Sequence, residues 1–207
     1  MAITADQFSF KKVEPIQLDV FIDILERAAQ WMVANNLNQW IPGSFTAPKT
    51  RAHIEHTISL GNAYFIIKND ITVVNSTTTS TTTSSPTETI IGTFTLNYTD
   101  PFDEMLWKDI VEDWTDAVYL HRLVVEREYK GYGLGPKALM FAEQEGLKHG
   151  KHFLRLDCMA DNKLLKAYYR EKAHFKEFED YPGERLFGRF ERPITATLST
   201  ATPLSEK

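Results

Sequence analysis

The chain has 207 residues, 43% hydrophobic and 25% charged, with a formal net charge of −5. That length suits one domain with an ample core, and the acidic balance offers no basic stripe of the kind a general nucleic-acid binder needs. The single cysteine, Cys158, excludes an intramolecular disulfide and a thiolate-rich zinc site.

The first residues carry neither a basic nor an apolar leader segment, and no apolar run is long enough for a bilayer. The expected location is therefore cytoplasmic. Residues 8–14 alternate as a first strand does. From Leu18 the apolar positions Phe21, Ile22, Leu25, Ala29, Met32 and Val33 recur at helical spacing, and the helix they predict ends near Asn35 and Asn36. Residues 37–45 form an aromatic loop broken by Pro42 and Gly43. It reads either as a plug over the core or as a wall of a binding site. A second helix is expected over 49–60, with Ile54 and Ile58 inward, then strands over 64–67 and 89–96.

Between those strands, residues 75–88 read as a Ser/Thr-rich flexible loop, because the segment lacks apolar side chains to offset the entropy of ordering it. The acidic stretch 103–114 is expected to cover the sheet as a loop or short helix. A central strand over 117–125 follows, then a helix over 136–149 closed by Gly150. Next come a strand over 153–158, a helix over 162–172, and two strands over 175–178 and 185–190. One domain spans 1–193, and 194–207 read as a disordered tail.

The chemistry concentrates in residues 120–139. A buried strand through Leu123, Val124 and Val125 runs into a turn in which Gly131, Gly133 and Gly135 alternate, and Pro136 then opens a helix. Glycine admits positive φ and close approach of a ligand. A helix start leaves N–H groups unpartnered and favours negative charge. Together they make a phosphate cradle. The dinucleotide fingerprint fails, since Pro136 stands where its third glycine belongs, and no Lys-Ser/Thr pair completes a P-loop. An ordinary glycine-rich turn is the plain alternative. About thirty residues on, a strand through Leu154 and Asp157 is followed by Asp161, Asn162, Tyr168 and Tyr169, then His174 and Phe175.

The two stretches together resemble the GNAT N-acetyltransferases. Their pyrophosphate loop, Arg/Gln-x-x-Gly-x-Gly/Ala, is matched by Lys130, Gly131, Tyr132, Gly133, Leu134 and Gly135, with lysine replacing arginine or glutamine. Their second signature is an asparagine, a tyrosine seven residues on, and a strand entered through Gly-Phe. Here His174-Phe175 comes one residue late and lacks the glycine, so Tyr168 and Tyr169 compete for the tyrosine role. The resemblance covers 118–175 closely. It implies an α/β (α+β) acyl-CoA N-acyltransferase fold, with a mixed, mostly antiparallel twisted sheet flanked by helices.

It also implies acetyl-CoA as cosubstrate and a primary amine of a small molecule or peptide as acceptor. No metal, nucleic-acid partner or membrane is implied, and a homodimer is admissible. By the resemblance, the six loop residues hold the pyrophosphate, and the backbone of Leu123, Val124 and Val125 pairs with the pantetheine arm. Asn162 positions that arm or a water, or serves as a helix cap. Tyr169, with Tyr168 as its rival, protonates the leaving thiolate. The base stays open among Asp116, His121, Glu126, Asp157 and a water chain, and acidic residues near the cleft suit a cationic amine. The alternative is a non-catalytic CoA-binding sensor or structural module of the same fold.

Overall fold

The computed structural model describes residues 7–70, 87–183 and 185–195. In chain order the elements are β1 (Phe8–Lys12), α1 (Leu18–Ala34), α2 (Pro48–Ser59), β2 (Ala63–Asp70), β3 (Thr87–Asn97), α3 (Pro101–Trp107) and β4 (Ala117–Val125). Then follow α4 (Leu134–Lys148), β5 (Phe153–Met159), α5 (Lys163–Glu171), β6 (Lys176–Tyr181) and β7 (Phe187–Pro193). The strands form one sheet in the order β1-β2-β3-β4-β5-β7-β6. Among the described strands only β4 and β5 run parallel; every other neighbouring pair is antiparallel.

Strand alternation distributes the core to two faces. On one, Tyr64, Ile66, Phe94, Val118, Leu154 and Leu156 meet Leu134, Ala138, Leu139 and Ala142 of α4 and Tyr169 of α5. On the other, Phe65 and Ile67 meet Phe21, Leu25 and Ala29 of α1 and Ile54 and Ile58 of α2. The α1 residues are the apolar stripe that the sequence spacing predicts. Phe21, Leu25 and Ala29 have no exposed surface, and burying each large side chain stabilises by roughly 1.5–3 kcal/mol. Further along this second face, α3 sets Leu106 and Trp107 on Ala117 and Tyr119.

Two buried arginines hold α3 and its connection in place. Arg155 donates to Glu191 at 2.8 Å, to the Tyr119 hydroxyl at 2.9 Å and to the Trp114 carbonyl at 3.1 Å. Arg189 donates to the Leu106 and Glu179 carbonyls, both at 2.7 Å, and to Asp109 at 3.0 Å. Buried guanidinium groups need such complete pairing to offset desolvation.

Several boundaries differ from expectation, three of them with a local cause. Thr87 and Glu88 are not loop: they pair with Asp70 and Asn69 and extend β3, while the remainder of that Ser/Thr stretch lies outside the described residues. Helix α4 begins at Leu134, ahead of Pro136, because Gly133 takes a left-handed φ of 70° and caps it; a proline in the first turn sacrifices no hydrogen bond. Ile194 is not frayed. Its N–H donates to the His152 carbonyl at 2.8 Å and its side chain packs on the core, whereas 196–207 lie outside the described residues. No helix among the described residues is long and apolar enough to cross a membrane.

Candidate active site

The parallel pair at the centre of the sheet is only half joined. Ala117, Val118 and Tyr119 of β4 pair with Phe153, Leu154 and Arg155 of β5, and beyond them the two strands part. Leu120 to Val125 line the resulting cleft with a strand edge facing an opening instead of a neighbour. The other side of β4 stays attached to β3, but its register shifts between Thr93 and Thr95, and Arg122 takes a left-handed φ of 53°. This is a β-bulge, which re-aims side chains at the strand end. Leu123, Val124 and Val125 are half-buried beside it.

Past β4, a single 3₁₀ turn at Arg127–Tyr129 leads into the glycine loop. Gly131 and Gly133 have φ of 94° and 70°, and a Cβ at either would meet nothing within 4 Å. Protein packing therefore does not require glycine here; the backbone conformation does. The amides of Gly131 and Gly133 donate to no carbonyl among the described residues, and those of Leu134 and Gly135 open α4, where helical partners are lacking. The result is a set of N–H groups without backbone partners at a positive helix end, which fits a pyrophosphate. Lys130 and Tyr132 are exposed on its rim.

A cavity of about 740 Å³ opens on the α1/α2/α3 face of the sheet. Trp40 and Phe45 of the α1–α2 loop, Phe102 and Met105 of α3, and Phe187 of β7 give it apolar walls. Trp40 also packs edge-on against Phe45 at 5.2 Å, so this loop is both plug and wall. Because β4 and β5 part, the cavity reaches through the sheet to Leu165 and Tyr169 of α5. Tyr169 is 9% exposed, its ring held against Phe190 at 5.3 Å and Phe175 at 5.9 Å. Burial pushes its pKa strongly up, with Cys158 and Asp157 adding, so it stays a neutral phenol.

Tyr168 does not line the cavity. Its hydroxyl sits 3.7 Å from where a Cβ on Gly135 would be, next to the phosphate loop. Asn162 is the N-cap of α5, accepting from the Leu165 N–H at 3.2 Å and donating to Gln39 Oε1 at 3.3 Å. It borders a smaller recess with Asn38 and Asp161, beside the large cavity.

The four acid–base candidates separate. Asp116 accepts from His152 at 2.8 Å and Glu126 from Arg27 at 2.6 Å, both away from the cavity. His121 and Asp157 do line it. His121 lies between two carboxylates, donating Nε2–H to Asp103 at 2.8 Å with Nδ1 3.3 Å from Asp157. Burial alone would lower its pKa, but the Asp103 and Asp157 charges and hydrogen bonds outweigh it and raise it to about 10. At neutral pH His121 is a held imidazolium, unable to accept a proton.

Sequence reasoning missed His53. It projects from α2 into the cavity, 3.5 Å from Asp100. Burial and then the Arg122 charge lower its pKa below 6.5, against the pull of Asp100. Its imidazole is neutral at pH 7 and free to take a proton. The available signal was its spacing from Lys49, i to i+4 on one helix face; both residues line the cavity.

An open cavity with apolar walls, a strand edge that leaves its neighbour and an anion cradle at a helix start succeed one another along β4 and the loop after it. Together they fit an extended molecule with phosphates at one end and its reacting group at the other, and so define an acyl-CoA-dependent transferase. The comparisons agree. The model of the Acetyltransferase (GNAT) family matches residues 84–175. The uncharacterized N-acetyltransferase YesJ of Bacillus subtilis is 30% identical over 178 residues, covering 84% of this chain and 83% of its own. A GNAT acetyltransferase of Listeria monocytogenes shares the fold with TM-score 0.65 at 23% identity, over 90% of this chain and 94% of that one. The PaiA N-acetyltransferase of Thermoplasma acidophilum, solved with coenzyme A, shares it with TM-score 0.55 at 20% identity, over 88% and 97%. The chain belongs to the GNAT acetyltransferase family, enzymes that take their acetyl group from acetyl-CoA.

Proposed function

We propose that the protein acetylates a primary amine of a small molecule bound in the cavity, with Tyr169 as acid and His53 as base. The observation that carries this reading is the parting of β4 and β5, which lets Tyr169 of α5 and His53 of α2 border one chamber from opposite faces of the sheet.

Acetyl-CoA supplies a thioester, whose C–S bond breaks as the C–N bond to the amine forms. The amides from Gly131 to Gly135 and the start of α4 hold its pyrophosphate, with Lys130 and Tyr132 at the rim. The edge of β4 at Leu123, Val124 and Val125 binds the pantetheine arm as a neighbouring strand would. One of those N–H groups also faces the developing oxyanion. His53 accepts the proton that the attacking amine sheds, and the Tyr169 phenol gives its proton to the departing sulfur. Asn162 sets the first turn of α5, and so the position of Tyr169.

A thiol-release assay with acetyl-CoA across an amine library tests the reading. The expected result is acceptor-dependent thiol release that falls in Tyr169→Phe and in His53→Gln. Tight CoA binding with no amine-dependent release would instead favour the sensor alternative.

A further inference from the structure

The charges around the cavity are unevenly engaged. Every carboxylate there has a cation or a donor. Asp157 and the underlying Asp103 both hold His121. Asp100 accepts the Phe102 N–H at 2.8 Å, capping α3, and faces His53. The cations are not matched in this way. Arg122 is half-buried in the cavity wall, and its guanidinium makes one long hydrogen bond, Nη1 to Thr95 Oγ1 at 3.4 Å. No carboxylate lies within ion-pair reach of it among the described residues, and the same holds for Lys49 at the head of α2. Among the described residues, Arg185 at the cavity mouth donates only to the Gln39 carbonyl at 3.3 Å. The acidic residues that seemed suited to a cationic acceptor are therefore already occupied, and the groups left to recruit are positive.

Arg122 owes its aim to the bulge. The left-handed φ of 53° turns residue 122 out of the strand's alternation, so Leu120, His121, Arg122 and Leu123 all reach one chamber. Holding a non-glycine residue there is costly, and burial of the guanidinium works against its charge, which the more distant Asp100, Asp103 and Asp157 offset only in part. A planar guanidinium with free N–H pairs matches a carboxylate bidentately. Arg122 and His53 line the same cavity, and the guanidinium charge reaches the imidazole, so one small molecule can carry an anion to Arg122 and an amine to His53. The aromatic walls take its apolar side chain.

From this juxtaposition we infer that the acceptor is a free amino acid with a large apolar side chain, its carboxylate bound by Arg122 and its amine presented to His53. The inference rests on the acetyl-transfer reading and narrows it to one substrate class.

The test compares phenylalanine and leucine with their amides and with phenethylamine and isoamylamine, using acetyl-CoA and thiol release. The free acids should exceed their neutral counterparts in kcat/KM by at least about tenfold, the scale of one charged hydrogen bond. In Arg122→Gln that ratio should collapse toward one, and Arg122→Lys should restore part of it. The wild-type comparison stands even if the variants fold poorly. Amines without a carboxylate reacting as well as or better than the acids would overturn the inference and leave acetyl transfer standing. CoA binding with no thiol release from any amine would overturn both.

Discussion

A Cβ on Gly92 would stand 2.2 Å from the carbonyl oxygen of Val124. Strands β3 and β4 thus approach, at the bulge, as closely as only glycine permits. The approach fixes where β4 kinks, and the kink sends Arg122 into the cavity. Gly92→Ala should force the strands apart at this point and cost about 1–3 kcal/mol, as overpacking does. Urea denaturation measures that loss, and calorimetry should show weaker CoA binding because the cleft edge moves with β4. A variant with wild-type stability and CoA affinity would show that the bulge is held by something else.

Gly133 makes the opposite case. Nothing in the protein crowds it, yet its φ is 70°. Gly133→Val places a branched side chain in a left-handed conformation, at a cost on the order of 1–3 kcal/mol, and puts bulk where the pyrophosphate must approach. The fold should survive while CoA affinity drops by more than about tenfold, since oriented amides are the main anion ligands of the proposed site. Unchanged binding by the folded variant would remove the loop from the cosubstrate site.

The adjacent tyrosines separate two functions. Tyr169→Phe keeps the ring packed on Phe175 and Phe190 and removes only the hydroxyl. We expect kcat to fall near or below the low end of the roughly 10²–10⁴-fold span of general-acid catalysis, since a CoA thiolate leaves readily. The acetyl-CoA KM should hold. Tyr168→Phe removes a hydroxyl beside Gly135 and should alter CoA affinity before kcat. A kcat defect in Tyr168→Phe with Tyr169→Phe silent would reverse the assignment.

The two histidines predict different pH signatures. The His53 pKa is depressed below 6.5 by burial and Arg122, so kcat should fall along an acid limb whose midpoint lies below pH 6.5, and His53→Gln should abolish that limb. His121 has a folded pKa of about 10 against 6.5 when unfolded. A raised pKa contributes stability that is complete below the unfolded value and is lost as pH rises through the folded one. The stability advantage of wild type over His121→Gln should therefore shrink between pH 6.5 and about 10. An advantage that stays constant across that window would mean the imidazole is not charged in the fold.

Local signals made much of this legible. The stripe from Phe21 to Ala29, the alternation around β4 and the three glycines before Pro136 each depend on residues near one another in sequence. The same is true of the Asn162 cap. What could not be read depends on distant partners. His121 is fixed as a cation by Asp103, 18 residues back, and by Asp157, two elements later, so its alternation alone left its face open. Arg122 faces the cavity because Gly92 admits Val124 across the ladder, a relation with no local mark. Which of Tyr168 and Tyr169 borders the cavity was equally hidden, because it follows from the parting of β4 and β5, which opens a path to Tyr169.

That parting has a consequence for the protein without its cosubstrate. A seam inside the sheet exposes main-chain groups that an incoming strand can recruit, and this one is interior, where the usual defences of sheet margins do not operate. In the proposed binding mode the cosubstrate acts as a removable staple, closing the seam while it is bound and leaving it open between turnovers. Mass action makes the effect measurable, since a ligand at a hundred times its Kd stabilises by about 2.7 kcal/mol. Storage in CoA should slow aggregation as well as raise Tm, and a short peptide of extended conformation should compete for the same seam.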